Sequence, residues 1–311
     1  MALPSSKKVI YAALAGNSLI AVTKFIAAAL TGSAAMLSEA IHSVVDTGNQ
    51  VLMLYGLKKA AQPADDQHPF GYGMELYFWT FVVAILIFGL GAGISVYEGI
   101  DRIRFPRPIN DPYINYIVLI LAMVFEGWAW SVAFKEFKRR KGDLPYWEAI
   151  RASKDPTVFT VLFEDTAAML GLIVALVGIF LSTHLDMPVL DGVASIGIGI
   201  ILAVIAAFLA YECKGLLIGE RASRQVLDGL NNIIEKQPGI LRVNEMLTMH
   251  LSPQDVLLNL SIDFKDQLTS QEVEREVSQM EREIKECFPE IKRVFIEAQS
   301  WRGHQQDQDN C

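Results

Sequence analysis

The chain has 311 residues, 52% of them hydrophobic, and a net charge of −8. An acidic chain is a poor partner for nucleic acid. Its three distant cysteines, Cys213, Cys287 and Cys311, support neither a disulfide framework nor a thiolate metal site.

The apolar residues concentrate in 9–213, which separates a membrane part from a soluble remainder. Six runs have the length of a bilayer-spanning helix: residues 9–31, 34–57, 77–100, 112–135, 157–181 and 188–212. Lys7 and Lys8 precede the first run as in a signal peptide. Lys24 interrupts it, however, and a second run follows at once, so it reads as an uncleaved first span. Thr31-Gly32-Ser33 and the segment from Thr183 to Met187 are short enough to make helical hairpins of spans one–two and five–six. Lys58, Lys59, Lys135, Lys138, Arg139, Arg140, Lys141, Arg151, Lys154, Lys214, Arg221 and Arg224 all fall on the side of Lys7 and Lys8. The other side has only Arg102, Arg104 and Arg107, so both termini are expected in the cytoplasm. With no long N-terminal extension a bacterial inner membrane is expected, a trimmed organellar protein being the alternative.

From Lys214 the pattern changes. Ser223 opens a helix to about Gln237, and Pro238-Gly239 ends it. Residues 240–250 and 255–264 read as strands around a Ser252-Pro253-Gln254 turn, the second alternating through Val256, Leu258, Leu260 and Ile262. Thr269-Ser270-Gln271-Glu272 is a capping box for a helix to about Phe288, and Val294 to Gln299 reads as a last strand. The expected fold class is an all-α six-helix transmembrane domain (1–213) with a small cytoplasmic α/β domain (214–301) of αββαβ, ferredoxin-like order. Residues 302–311 read as a polar, disordered tail. No phosphate-binding loop, HExxH or GxSxG motif appears, so neither ATP drive nor a hydrolase is expected.

Chemistry concentrates in the second span. His42 and Asp46 are four residues apart, hence on one face of a helix. An ionisable group at a helix centre costs about 2.5–3.5 kcal/mol on insertion scales, so two in one turn need a reason. Imidazole and carboxylate together make half of a tetrahedral metal site, and Glu164-Asp165 in the fifth span can supply more. The competing reading is a His–carboxylate network that ties helices together. Lys24 is placed to snorkel or to pair with a carboxylate. Glu98 and Glu126 are placed to line a water path or to be solvated, and Asp191 to favour the N-terminus of its own helix. Asp65 and His68, between spans two and three, form either an accessory cation site or an ordinary turn.

Gly16-Asn17, Lys24 and the run from Thr31 to Asp46 resemble the first two helices of the cation diffusion facilitators, and His68-Pro69-Phe70-Gly71-Tyr72-Gly73 is similar to that family's following loop. Glu164-Asp165-Thr166-Ala167-Ala168 and the run Phe125–Trp130 are most similar to the zinc-transporter-nine-like branch. The resemblance implies a homodimer, not an enzyme, that exports Zn2+ against protons by alternating access. Mn2+, Fe2+, Co2+, Ni2+ and Cd2+ are alternative cargoes for such ligands. It implies metal ligands His42, Asp46 and Asp165. The remaining family position is Val161, which cannot ligate, so Glu164, Asn49 or water is expected to complete the shell. Tyr72 stands where the family often has His. The matching positions of the soluble domain hold Ser261, Glu274, Glu297 and Gln299, and its histidines are His250 and, in the tail, His304. That domain is therefore expected to dimerise through apolar contacts. Other readings are a passive divalent-cation channel, a membrane-embedded metalloenzyme and a non-transporting scaffold.

Overall fold

A computed structural model describes residues 4–142, 145, 146, 149, 150 and 154–309, excepting the side chains of 4–16, 140, 158, 307 and 309. Arg151 and Cys311, named above, lie outside the described residues. Six long helices come first: α1 Pro4–Thr31, α2 Ala34–Ala60, α3 Glu75–Arg104, α4 Pro112–Lys141, α5 Pro156–His184 and α6 Val189–Ile218. Among the described residues four of them, α3 to α6, are long and apolar enough to cross a membrane, and α1 carries a shorter apolar stretch, Asn17–Thr31. Helices α4 and α6 run past the expected ends. Beyond residue 135 of α4 the added residues are mostly Lys, Arg and Glu, good helix formers, and beyond residue 212 of α6 residues 216–218 are again apolar, so the backbone continues in both.

The helix ends follow from local chemistry. Gly32, at φ 66°, takes the left-handed turn that reverses α1 into α2. Asp155 caps α5 by accepting the Thr157 N–H at 3.2 Å, and Pro156 occupies the first turn, where its missing N–H costs nothing. Within α3, residues Ile87–Ala92 form a π-helical turn, a register break of a kind often found at functional sites. Beyond it the backbones of α3 and α6 nearly touch: a Cβ on Gly99 would lie 2.6 Å from the Gly192 carbonyl oxygen. Ser195 donates to the Ser95 carbonyl at 2.7 Å and exchanges a 2.6 Å hydrogen bond with Ser38, joining α6 to both α3 and α2.

Residues 215–311 form a second compact unit together with residues 60–74. It contains α7 Arg224–Ile234, β1 Ile240–Ser252, β2 Asp255–Phe264, α8 Ser270–Cys287, β3 Ile291–Ala298 and α9 Trp301–Asp309. The sheet order is β1-β2-β3, with β1–β2 antiparallel and β2–β3 parallel. Alternation puts Val256, Leu258, Leu260 and Ile262 on the face buried with Leu230, Met280 and Ile284 of the two helices. Strand β3 begins at Ile291, three residues before the expected Val294, because buried Ile291 pairs with Val256. The expected capping box is present, Thr269 and Glu272 each holding the other's backbone N–H.

The polar tail reads differently in the structure, which has helix α9 there. Its start is pinned by the Trp301 N–H donating to Asp263 at 3.0 Å, and the Arg242 guanidinium lies 4.5 Å from the Trp301 ring centroid. His304 is buried, with Nδ1 3.1 Å from Gln299 Oε1. Tail polarity concealed these anchors, which sit on distant strands.

Candidate functional site

Helical periodicity on α2 stacks Glu39, His42, Ser43, Asp46, Asn49 and Gln50 along one side. Glu39, His42, Ser43 and Asn49 are buried. Asp46, Ser43 and Gln50 line a small cavity of about 20 Å3 with Asn17 of α1, Glu126 of α4, and Val161, Glu164 and Asp165 of α5. That volume is about one water molecule's worth. Thus carboxylates from three helices face one small space. The sequence-predicted Asp46, Glu164 and Asp165 meet there, and Val161 is part of the wall.

His42 stands just off this lining. Its Nδ1 is 3.3 Å from Asp46 Oδ1, and neither ring nitrogen makes a well-formed hydrogen bond to the described residues. Asn49 donates to Glu164 Oε1 at 2.8 Å and so orients that carboxylate. Among the described residues no three His, Cys, Asp or Glu side chains are close enough together to hold a metal ion. Helix α5 is set against α4 partly by Trp130 Nε1, which donates to Thr166 Oγ1 at 3.1 Å one residue beyond Asp165.

Two polar residues took partners that spacing alone did not reveal. Lys24 is wholly buried, with Nζ 3.1 Å from Glu39 Oε2 and 2.8 Å from Ser43 Oγ. Asp191 serves α2 rather than only its own helix: its carboxylate accepts the Ala34 N–H at 2.6 Å, the Ala35 N–H at 3.2 Å and the Ser33 hydroxyl at 2.6 Å, and Arg102 Nε lies 3.3 Å away. Asn17, Ser43 and Gln50 lie on the cavity without having been singled out for it. Ser43 and Gln50 carried a signal, since they are i−3 and i+4 from Asp46.

The loop after α2 is tied to itself. Asp65 Oδ1 accepts the backbone N–H groups of Gln67 and His68 at 3.0 and 2.7 Å, and Oδ2 accepts the Tyr72 hydroxyl at 2.6 Å. The Tyr72 hydrogen bond, followed by that of the His68 N–H, holds the Asp65 carboxyl below its ordinary pKa. His68 Nδ1 is 3.5 Å from Asp65 Oδ1. Within the α/β unit, Ser261 donates to Gln299 Oε1 at 3.3 Å and Asn244 Nδ2 donates to the Gln299 carbonyl at 2.7 Å. These positions thus form a neutral hydrogen-bonded cluster.

Carboxylates gathered among long apolar helices, with an αββαβ domain following in the chain, define a multi-pass membrane protein with a buried acidic site. The description "Cation efflux transmembrane domain" matches residues 10–218, and the chain belongs to that family, the cation diffusion facilitators. It is similar to the human "Proton-coupled zinc antiporter SLC30A9, mitochondrial", at 32% identity over 266 residues, covering 85% of this chain and 47% of that protein. "Metal tolerance protein C4" of Arabidopsis thaliana is 26% identical, with 86% of this chain and 59% of that protein covered. "Cation-efflux pump FieF" of Escherichia fergusonii is 26% identical, with 83% and 80% covered. The chain spans about half the length of the SLC30A9 relatives it matches. The similarity to SLC30A9 accords with the resemblance of residues 164–168 and 125–130 to the zinc-transporter-nine-like branch.

Proposed function

We infer that the protein is an efflux transporter for a divalent metal cation, with Zn2+ exchanged for protons by alternating access. The single observation that carries this is the convergence of Asp46, Glu126, Glu164 and Asp165 on one cavity in the membrane domain. Carboxylates grouped at such depth need a cation or protons as company. His42, Asp46, Asp165 and Glu164, no three of which are close enough here to ligate one ion, would have to draw together around Zn2+ or a similar ion to hold it. Binding requires neutral imidazole and ionised carboxylates, so protons leave as metal arrives. Protons from the far side then compete for the same groups and release it. The names of SLC30A9 and FieF support zinc antiport and cation efflux as the direction of reading.

The finer architecture belongs to the same proposal. We read the six long helices as six spans, the α/β unit as ferredoxin-like and cytoplasmic, and both termini as cytoplasmic from the Lys and Arg distribution. Homodimerisation is supported by Leu247 and Phe295, 52% and 53% exposed on the sheet face away from the helices. They flank Asn259 in one row across the strands. An accessory role for Asp65 and His68 would require Asp65 to exchange its present hydrogen bonds for a cation.

Reconstituted protein in liposomes with a pH gradient tests the transport reading. His42→Ala and Asp46→Ala are each expected to lower Zn2+ flux at least tenfold, roughly the loss of one strong ligand contact. Undiminished flux in both variants overturns the assignment.

A further inference from the structure

Two cavities lie along the seam between α1 and α2. The inner one is bounded on these helices by Asn17, Ser43, Gln50 and Asp46. The outer one holds about 280 Å3 and is bounded by Phe25 and Ala28 of α1 and Leu37 of α2, with Glu98 and Arg102 of α3 beside them. The two helices are the arms of a hairpin closed at Gly32. Moving toward that turn, Lys24 comes after Asn17 and just before Phe25. Glu39 lies between Asp46 and Leu37, about 10 Å along the axis from Asp46 at 1.5 Å per residue. The Lys24–Glu39 pair therefore stands between the cavities.

Its chemistry is unusual for a mere tie. Both side chains are 0% exposed. A buried ion pair seldom holds helices together better than apolar packing of the same volume. Lys24 Nζ reaches Glu39 Oε2 on one side and Ser43 Oγ on the other, and Ser43 is part of the inner cavity wall. The other carboxylate oxygen, Glu39 Oε1, accepts no hydrogen bond from the described residues and presses toward Gly171 of α5, where a Cβ would collide with it. A buried carboxylate with one oxygen uncommitted is a cation ligand, and the lysine ammonium already provides a cation.

We propose that Lys24 and Glu39 form a gate between the two cavities, in which the lysine is a tethered cation occupying a carboxylate station on the exit route. The gate rests on the transport reading above. A divalent ion leaving the inner cavity displaces the ammonium and is held by Glu39, while Ser43 keeps an acceptor on the ammonium. When the ion passes into the outer cavity, the lysine returns at the high effective concentration of a tethered ligand. The station is thus filled by a cation throughout the cycle, and the cavities are joined only while metal is passing.

Full-length protein in liposomes, with Zn2+ as the probe, tests this. Lys24→Met/Glu39→Gln removes both charges without stranding either. Its Zn2+ leak, down the metal's own gradient with no pH gradient, is expected to rise about tenfold over the parent chain. In calorimetric titration Lys24→Met is expected to bind one more Zn2+ per chain than the parent, a gain abolished in the double variant. Where Lys24→Met does not fold, Lys24→Arg, which keeps the cation, is expected to leak no more than the parent. A parent-like leak in the double variant, or an unchanged Zn2+ count in folded Lys24→Met, overturns the gate. Failure of the parent itself to carry Zn2+ under a pH gradient defeats the transport reading instead.

Discussion

The carboxylate of Asp191, near the start of α6, accepts the backbone N–H of Ala34 at the start of α2 at 2.6 Å. One helix is capped by a side chain from another, 157 residues later. Arg102 of α3 joins the same carboxylate at 3.3 Å. Asp191→Ala would strand a largely buried guanidinium and two backbone N–H groups at once. Breaking such a buried charged network typically costs about 3–5 kcal/mol. The expected outcome is a clearly lower unfolding temperature of the purified protein in detergent, with Asp191→Asn intermediate.

Val161 lies on the wall of the carboxylate cavity. Val161→His brings an imidazole to a site already lined by Asp46, Glu164 and Asp165. The expected gain is about tenfold in Zn2+ affinity, or about 1.4 kcal/mol, read by calorimetry. Turnover is expected to fall because release slows. Val161→Leu keeps the wall apolar and should leave affinity near that of the parent chain.

Gly73 approaches strand β1 so closely that a Cβ would lie 2.5 Å from the Leu251 carbonyl oxygen and 2.8 Å from Ser252 Cβ. Gly73→Ala therefore forces the loop from residue 60 to residue 74 to shift. Overpacking of this kind costs about 1–3 kcal/mol. Faster amide hydrogen exchange within that loop and a lower unfolding temperature are the expected readouts.

Asp65 gives a pH dependence whose sign follows from its depressed pKa. The ordered loop favours the ionised carboxylate, so its contribution is fully present above the ordinary aspartate pKa and is lost as pH falls through the lower, folded value. The Tyr72 hydroxyl is the largest cause of that depression. Tyr72→Phe should raise the Asp65 pKa toward its ordinary value, followed by NMR titration of the carboxyl carbon. Loop order should then fail at a higher, though still acidic, pH, and no change is expected near neutrality.

The sequence made the αββαβ order of the second unit plain because each of its elements carries a local signal: the Ser223 cap, the Ser252-Pro253-Gln254 turn, the Thr269–Glu272 box and the alternation of β2. It also exposed Asp46, Glu164 and Asp165, since charged residues inside apolar runs stand out whatever their partners. Partnership was much less legible. Glu126 is the lone carboxylate within the apolar run 112–135 of α4, and no period in its own helix says that it faces Asp46. Asp191 looked like an ordinary helix-start acid because its true role depends on Ser33 and Ala34, far away in sequence. Helix α9 was missed for a similar reason, as Trp301 and His304 are held by Asp263 and Gln299 of the sheet. His42 is the opposite case: its position on α2 was evident, while its offset from the cavity depends on how the neighbouring helices pack.

The π-helical turn at Ile87–Ala92 makes the length of α3 a matter of structural inheritance. A π turn holds one residue more than the α-helical turn it replaces and so absorbs that residue without turning the helix beyond it, whereas one residue gained or lost in the ordinary winding that follows would rotate everything beyond by about 100°. Gly99 would leave its place against Gly192, and Arg102 would swing away from Asp191. Loss of a single residue is thus tolerated at this turn and barred from the stretch beyond it, so α3 can vary in length at one place only without disturbing its contacts with α6.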